Sequence, residues 1–219
     1  MAVSKSFYTH REEAWNASSH AAGIALGLAF GMVFLAWCFR HGDGWATLGI
    51  GLYLFGMLSS YAFSTLYHAL PAVSVWKGRL RKCDHAAIYW HIAGSYSPIT
   101  LIAMRHYGLW GWGLFAFVWL CAITGTFFSF LKLKPHSHFE TLCFVLMGLS
   151  VLVAFGPLMQ CVPAYSVLWI VGEGVAYITG ACFYSFHARR YMHTVFHFFV
   201  LIGSFCHLMA VWGILFSVA

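Results

Sequence analysis

Apolar residues run along the chain in seven long blocks, and short polar breaks separate them. The pattern predicts helices at 21–39, 45–67, 86–104, 109–131, 140–158, 165–186 and 194–218, each about as long as a membrane-spanning helix requires. The breaks fall at Arg40 to Gly44, Pro71 to Asp84, Arg105 to Gly108, Lys132 to His138, the Gly156-Pro157 to Pro163 turn, and His187 to His193. The first block begins near Ala21, behind the polar stretch Glu12–His20, and continues for about 19 residues. That exceeds the 7–15 residues of a signal-peptide core, so it reads as a retained span. No internal repeat, low-complexity tract or linker interrupts the series. Residues 1–219 therefore read as one domain, an all-α polytopic bundle of seven transmembrane helices.

Composition agrees with this reading. Of 219 residues, 61% are hydrophobic and only 8% charged, with mean hydropathy +0.77. A soluble domain carries about 25% charged residues, so too few remain here to coat a water-facing surface. The net charge of +6 does not point to nucleic acid, because the basic residues sit at span ends, where they set topology. With a cytoplasmic amino terminus, that side holds Lys5, Arg11, Lys77, Arg79, Arg81, Lys82, Lys132, Lys134, Arg189 and Arg190, against Arg40 and Arg105 opposite. The bias predicts a cytoplasmic amino terminus and an outward, periplasmic carboxyl terminus. This is the reverse of rhodopsin-like receptors. Trp45, Trp110 and Trp112 on one face and Trp15 and Trp76 on the other fit interfacial belts. The seven cysteines are scattered and form no C-x-x-C pair, so no disulfide framework is expected.

Chemistry gathers at one level. Glu12, Glu13, Asp84 and Glu140 fall at cytoplasmic span ends, with His20, His68, His85, His136, His138, His187, His193 and His197 near them. Ionisable groups at the membrane boundary are costly and usually face the bundle interior. At about 100° per residue, His193 and His197 share one helix face, as do Ser64 and His68, while Glu13, Asn16 and His20 fall within about 60° of one another. Three imidazoles in an apolar setting suit a catalytic zinc with a fourth position for water. The candidate ligands are His68, His193 and His197. Asp84 stands at the level needed to hold or deprotonate that water, and Ser64 lies one turn from His68.

Each signal has a plainer alternative. H-x-x-x-H by itself is a weak motif. Asp84 also reads as a helix-start carboxylate, and Glu13-Asn16-His20 as a cap and a polar interfacial turn. His10, His41, His106, His136 and His138 read as solvated, and His85 and His187 lie outside the spacing patterns. Polar stripes continue deeper through His91 and Ser95, and through Ser204 and His207. Glu173, between Gly172 and Gly174, is an intramembrane carboxyl nearer the outer leaflet. Its alternative role is a hydrogen bond to a neighbouring helix.

The set Glu12-Glu13-Ala-Trp-Asn16-Ala-Ser-Ser-His20, Ser64-Thr-Leu-Tyr-His68, Asp84 and His193-Thr-Val-Phe-His197, with His207 beyond, resembles the hemolysin III branch of the progestin and adipoQ receptor (PAQR) superfamily over nearly the whole chain. The resemblance implies that His68, His193 and His197 bind zinc and that Asp84 contacts the water on the ion. It also implies a bacterial inner (plasma) membrane protein with a part in membrane lipid homeostasis. The long amino-terminal segment of the animal receptors is lacking, so hormone binding does not transfer. Pore formation finds no amphipathic segment to carry it. Three functions follow as expectations: a zinc-dependent hydrolase of lipid amides or esters, a non-enzymatic zinc-stapled regulator of membrane composition or fluidity, and a channel or transporter. Membrane lipids are the expected partners in the first two.

Overall fold

The computed structural model describes residues 8–132, 138–186 and 189–216, and among them the regular elements are all helices. In chain order these are α1 (His10–His41), α2 (Gly44–Ala69), α3 (Lys77–Pro98), α4 (Trp110–Lys132), α5 (His138–Leu149), α6 (Phe155–Cys161), α7 (Ala164–Tyr184) and α8 (Met192–Phe216). A π-helical turn, Ile99–Ala103, extends α3, and a 3-10 turn, Ser150–Ala154, joins α5 to α6. Six of the resulting rods are long and apolar enough to cross a membrane, with Phe139–Cys161 counted as one. α3 is the exception, because its first two turns carry Lys77, Arg79, Arg81, Lys82 and Asp84.

Three boundaries differ from the hydropathy pattern, each for a local reason. α1 begins at His10, inside the stretch expected to be polar and outside the span, because Thr9 and Glu12 form a reciprocal capping box. The cap is therefore Thr9, completed by Glu12, and not the Glu13-Asn16-His20 turn. α3 begins at Lys77, so Asp84 lies two turns inside the helix and is not its start. The expected break at Gly156-Pro157 is helical and shrinks to Val162 and Pro163. Pro157 is the third residue of α6, where a backbone N–H has no intrahelical acceptor to lose. Between α1 and α2 the chain reverses at Gly42, whose φ of 67° is left-handed, and Asp43 caps α2 by accepting from the Trp45 and Ala46 N–H groups at 2.9 and 3.1 Å.

α8 is the central helix. Its residues Leu208, Val211 and Leu215 pack with Phe34, Ile50, Met57 and Tyr61 of α1 and α2 in one apolar core. Ala210 and Ile214 on the same helix pack into a second core with α3, α4, α7 and the α5–α6 rod. The exterior is apolar, with Met32, Leu120, Ile123, Leu146, Val153, Leu168 and Val175 all exposed. Such a continuous apolar surface requires lipid; this is an integral, multi-pass membrane protein. Trp15 and Trp76 are exposed at one end of the bundle and Trp45, Trp110 and Trp112 at the other.

α2 and α3 approach backbone to backbone through glycine. A Cβ on Gly56 would stand 2.2 Å from the Trp90 carbonyl oxygen, and one on Gly94 2.9 Å from that of Leu52. No side-chain rotation relieves a clash with backbone, so Gly56→Ala is expected to cost about 1–3 kcal/mol. A fall in the thermal midpoint of the purified protein in detergent checks this.

Candidate metal centre

The last turn of α2 and the first turns of α1 and α8 meet at one end of the bundle, and α3 supplies Asp84 beside them. His68, His193 and His197 each offer a ring nitrogen there, all within 4.8 Å of one another, a set able to hold a metal ion. Nε2 of His193 is 3.4 Å from Nε2 of His68 and 2.8 Å from Nε2 of His197. His68 and His197 are almost fully buried. The i, i+4 spacing on α8 brings its two rings to 4.4 Å between centroids.

The orientation of His68 is fixed from behind. Its Nδ1 lies 2.5 Å from Glu13 Oε2, and the other Glu13 oxygen accepts from Lys77 Nζ at 2.8 Å. Lys77 also donates to the Leu70 carbonyl at 2.7 Å, which ties the end of α2 to the start of α3. A carboxylate that accepts from Nδ1–H leaves the Nε2 lone pair directed at the other two rings. Three imidazole nitrogens directed at one point repel as lone pairs unless a proton or a cation stands between them. The donor set therefore fits a metal ion.

α1 also fixes the start of α8. Asn16 Oδ1 accepts from Thr194 Oγ1 at 2.7 Å, and Glu12 Oε1 accepts from the Tyr191 N–H at 2.7 Å. Tyr191, with φ 63°, is the left-handed residue that turns the chain into α8. Tyr8 stacks on His193 with ring centroids 4.8 Å apart, and burial raises its phenol above the usual range, so it acts as a neutral cover. Spacing grouped Glu13 and Asn16 but not their targets, because a single helix face does not reveal which helix it meets. The His20 ring lies 4.0 Å from His197, and among the described residues neither of its nitrogens has a hydrogen-bond partner.

Asp84, Ser64, His20, His193 and His197 share the wall of a cavity of about 370 Å³. The Ser64 hydroxyl faces the Asp84 carboxylate. Away from this end the lining is mostly apolar and comes from α3, the α5–α6 rod, α7 and α8. Leu152, Val171, Val175 and Ile178 line the cavity and are also exposed on the outer surface, so its mouth opens sideways between the α5–α6 rod and α7.

The remaining candidates fall into two groups. His85 Nδ1 is 2.9 Å from Glu140, which also accepts from Ser129, a tie between α3, α4 and α5. His136 and His187 lie outside the described residues. Deeper, the α3 and α8 stripes join: Ser204 Oγ accepts from Tyr61 at 2.7 Å, and stands 3.0 Å from Tyr177 Oη and 3.4 Å from His91 Nε2. Glu173 does bond a neighbouring helix, with its Oε2 2.8 Å from His207 Nδ1. All seven cysteines are free thiols.

A model of the haemolysin-III-related family matches residues 7–208. Hemolysin-3 of Bacillus cereus is 33% identical over 194 residues, 89% of this chain and 87% of that protein. A hemolysin-3 homolog of Bacillus subtilis is 29% identical over 90% of this chain and 91% of its own length. The human monocyte to macrophage differentiation factor is 26% identical over 80% of this chain and 73% of its own. An organised polar end, an apolar exterior and similarity along almost the full length thus lead to one conclusion: the chain belongs to the haemolysin-III-related family of multi-pass membrane proteins.

Proposed function

We propose that this protein is a zinc-dependent hydrolase of membrane lipid amides or esters, with seven spans, a cytoplasmic amino terminus and its chemistry at the inner leaflet of a bacterial plasma membrane. The orientation rests on ten Lys and Arg residues at one end against two at the other. α3 supplies the seventh span through its apolar part, from Ala86 onward. One observation carries the reading: three imidazole nitrogens converge, and two of their rings, His193 and His197, line an apolar cavity whose wall also holds Asp84 and Ser64.

His68, His193 and His197 would hold the zinc. Tetrahedral nitrogens at 2.0–2.1 Å from one ion stand about 3.3 Å apart, close to the 3.4 Å between His68 and His193. The 2.8 Å between His193 and His197 is tighter, as for two rings sharing a proton. Bound there, zinc lowers the pKa of water and polarises a carbonyl. Asp84 serves as general base, takes a proton from the attacking water and passes it to the leaving amine or alcohol. Ser64 donates a hydrogen bond to the carbonyl oxygen as negative charge develops on it. The acyl chain lies in the apolar cavity, entered sideways from the bilayer.

The test is metal analysis of purified protein, then incubation with lipid amides and esters in bilayers and product detection by mass spectrometry. Stoichiometric zinc and released fatty acid are expected; turnover undiminished in zinc-free protein would refute the reading. Glu13→Gln should weaken zinc binding ten- to hundredfold by loosening the His68 ring, measured by competition with a chelator. A second reading is a zinc-stapled regulator without turnover, favoured by the way Glu12, Glu13 and Asn16 knit α1 to α2 and α8. Zinc without any lipid product, together with a chelator-dependent fall in thermal stability, would select it. A channel gains no support, since the polar stripe on α8 ends at His207 beneath buried Val211, Ile214 and Leu215.

A further inference from the structure

Glu173 stands midway along α7, far from the three histidines, and a carboxyl at that depth is costly unless something uses it. Its Oε2 is 2.8 Å from His207 Nδ1, and both residues line the cavity. The His207 ring is 1% exposed and is covered by fully buried Tyr53, 4.7 Å away between ring centroids. Glu173 remains 12% exposed. Beside it, a Cβ on Gly174 would meet nothing within 4 Å. Among the described residues His207 is the one hydrogen-bond partner of the Glu173 carboxyl. The carboxyl thus keeps hydrogen-bonding capacity on the side that faces open space.

A plain methylene chain laid across that carboxyl would cover it without a partner, which is unfavourable. A hydroxyl on the chain would satisfy it, whichever of Glu173 and His207 holds the shared proton. The position along the chain follows from α8. His197 and His207 are ten residues apart on one helix, about 15 Å at 1.5 Å per residue. Past Glu173 the cavity ends in apolar Ile99, Phe155 and Ile170, room for an apolar chain end.

We propose that Glu173, positioned by His207, is a specificity subsite that selects amphiphiles carrying a hydroxyl on the acyl chain about 15 Å from the amide or ester. This deepens the hydrolase reading by naming its substrate class, and it rests on that reading for which end of the ligand meets the histidines.

The test compares stearamide with a counterpart hydroxylated about 15 Å from the amide, by calorimetric titration of the purified full-length protein, alongside assays of amide turnover. Wild-type protein should bind the hydroxylated probe at least about tenfold more tightly, since a site built to bond a hydroxyl rejects analogues lacking it. Glu173→Leu should erase the difference and tighten stearamide binding toward that of the hydroxylated probe, because no carboxyl is then covered without a partner. Equal binding of the two probes by wild type, binding of neither, or a preference that survives Glu173→Leu would overturn the subsite. The wild-type comparison decides by itself where the variant does not fold. A preference without turnover removes the hydrolase and keeps the subsite; turnover without a preference does the reverse.

Discussion

Replacing His193 with alanine is expected to abolish zinc binding and lipid turnover together. His193 is the middle member of the cluster, with Nε2 at 3.4 Å from His68 and 2.8 Å from His197. Its loss leaves two donors on separate helices, below the three protein ligands of catalytic zinc sites. Affinity should fall by more than the ten- to hundredfold typical of a supporting residue. His68→Ala should match it, although Glu13 then also loses its imidazole partner. Metal content of each purified variant, measured with its turnover, checks the pairing. A variant that loses zinc and keeps turnover would separate the histidines from the chemistry.

The second large effect divides the two quantities. Asp84→Asn should retain zinc and lose turnover by about a hundredfold to ten-thousandfold, the usual range for a general base. Asp84 lies on the cavity wall beside Ser64 and outside the converging nitrogen set. The amide preserves shape and hydrogen bonding to Ser64 but accepts no proton. Thermal stability close to wild type, with turnover reduced, is the expected result. Loss of zinc in Asp84→Asn would move the residue from base to ligand.

The histidine trio was legible in the sequence because helical periodicity and span depth constrain the same residues. His193 and His197 face together by spacing, and His68 reaches their level because α2 ends where α8 begins. Helix starts were less legible. Hydropathy registers how a side chain would fare in lipid, whereas α1 from His10 and α3 from Lys77 are polar turns that find partners at the bundle end. Thr9 with Glu12, Lys77 with Glu13, and Asn16 with Thr194 provide them. The support given to His68 by Glu13 crosses 55 residues, a distance over which one-dimensional periodicity carries no information. Glu173 announced itself as an oddity by its depth, but its partner His207 emerged only when α7 and α8 were seen side by side.

The sideways mouth between the α5–α6 rod and α7, edged by exposed Leu152, Val171, Val175 and Ile178, changes what concentration means for this protein. A compound that reaches the site by that route must first dissolve among the lipids, so occupancy is governed by its mole fraction in the bilayer. Diluting the assay with inert phospholipid or detergent at constant bulk amount should therefore lower the rate. Inhibitors should rank by partition coefficient as much as by their fit to the site.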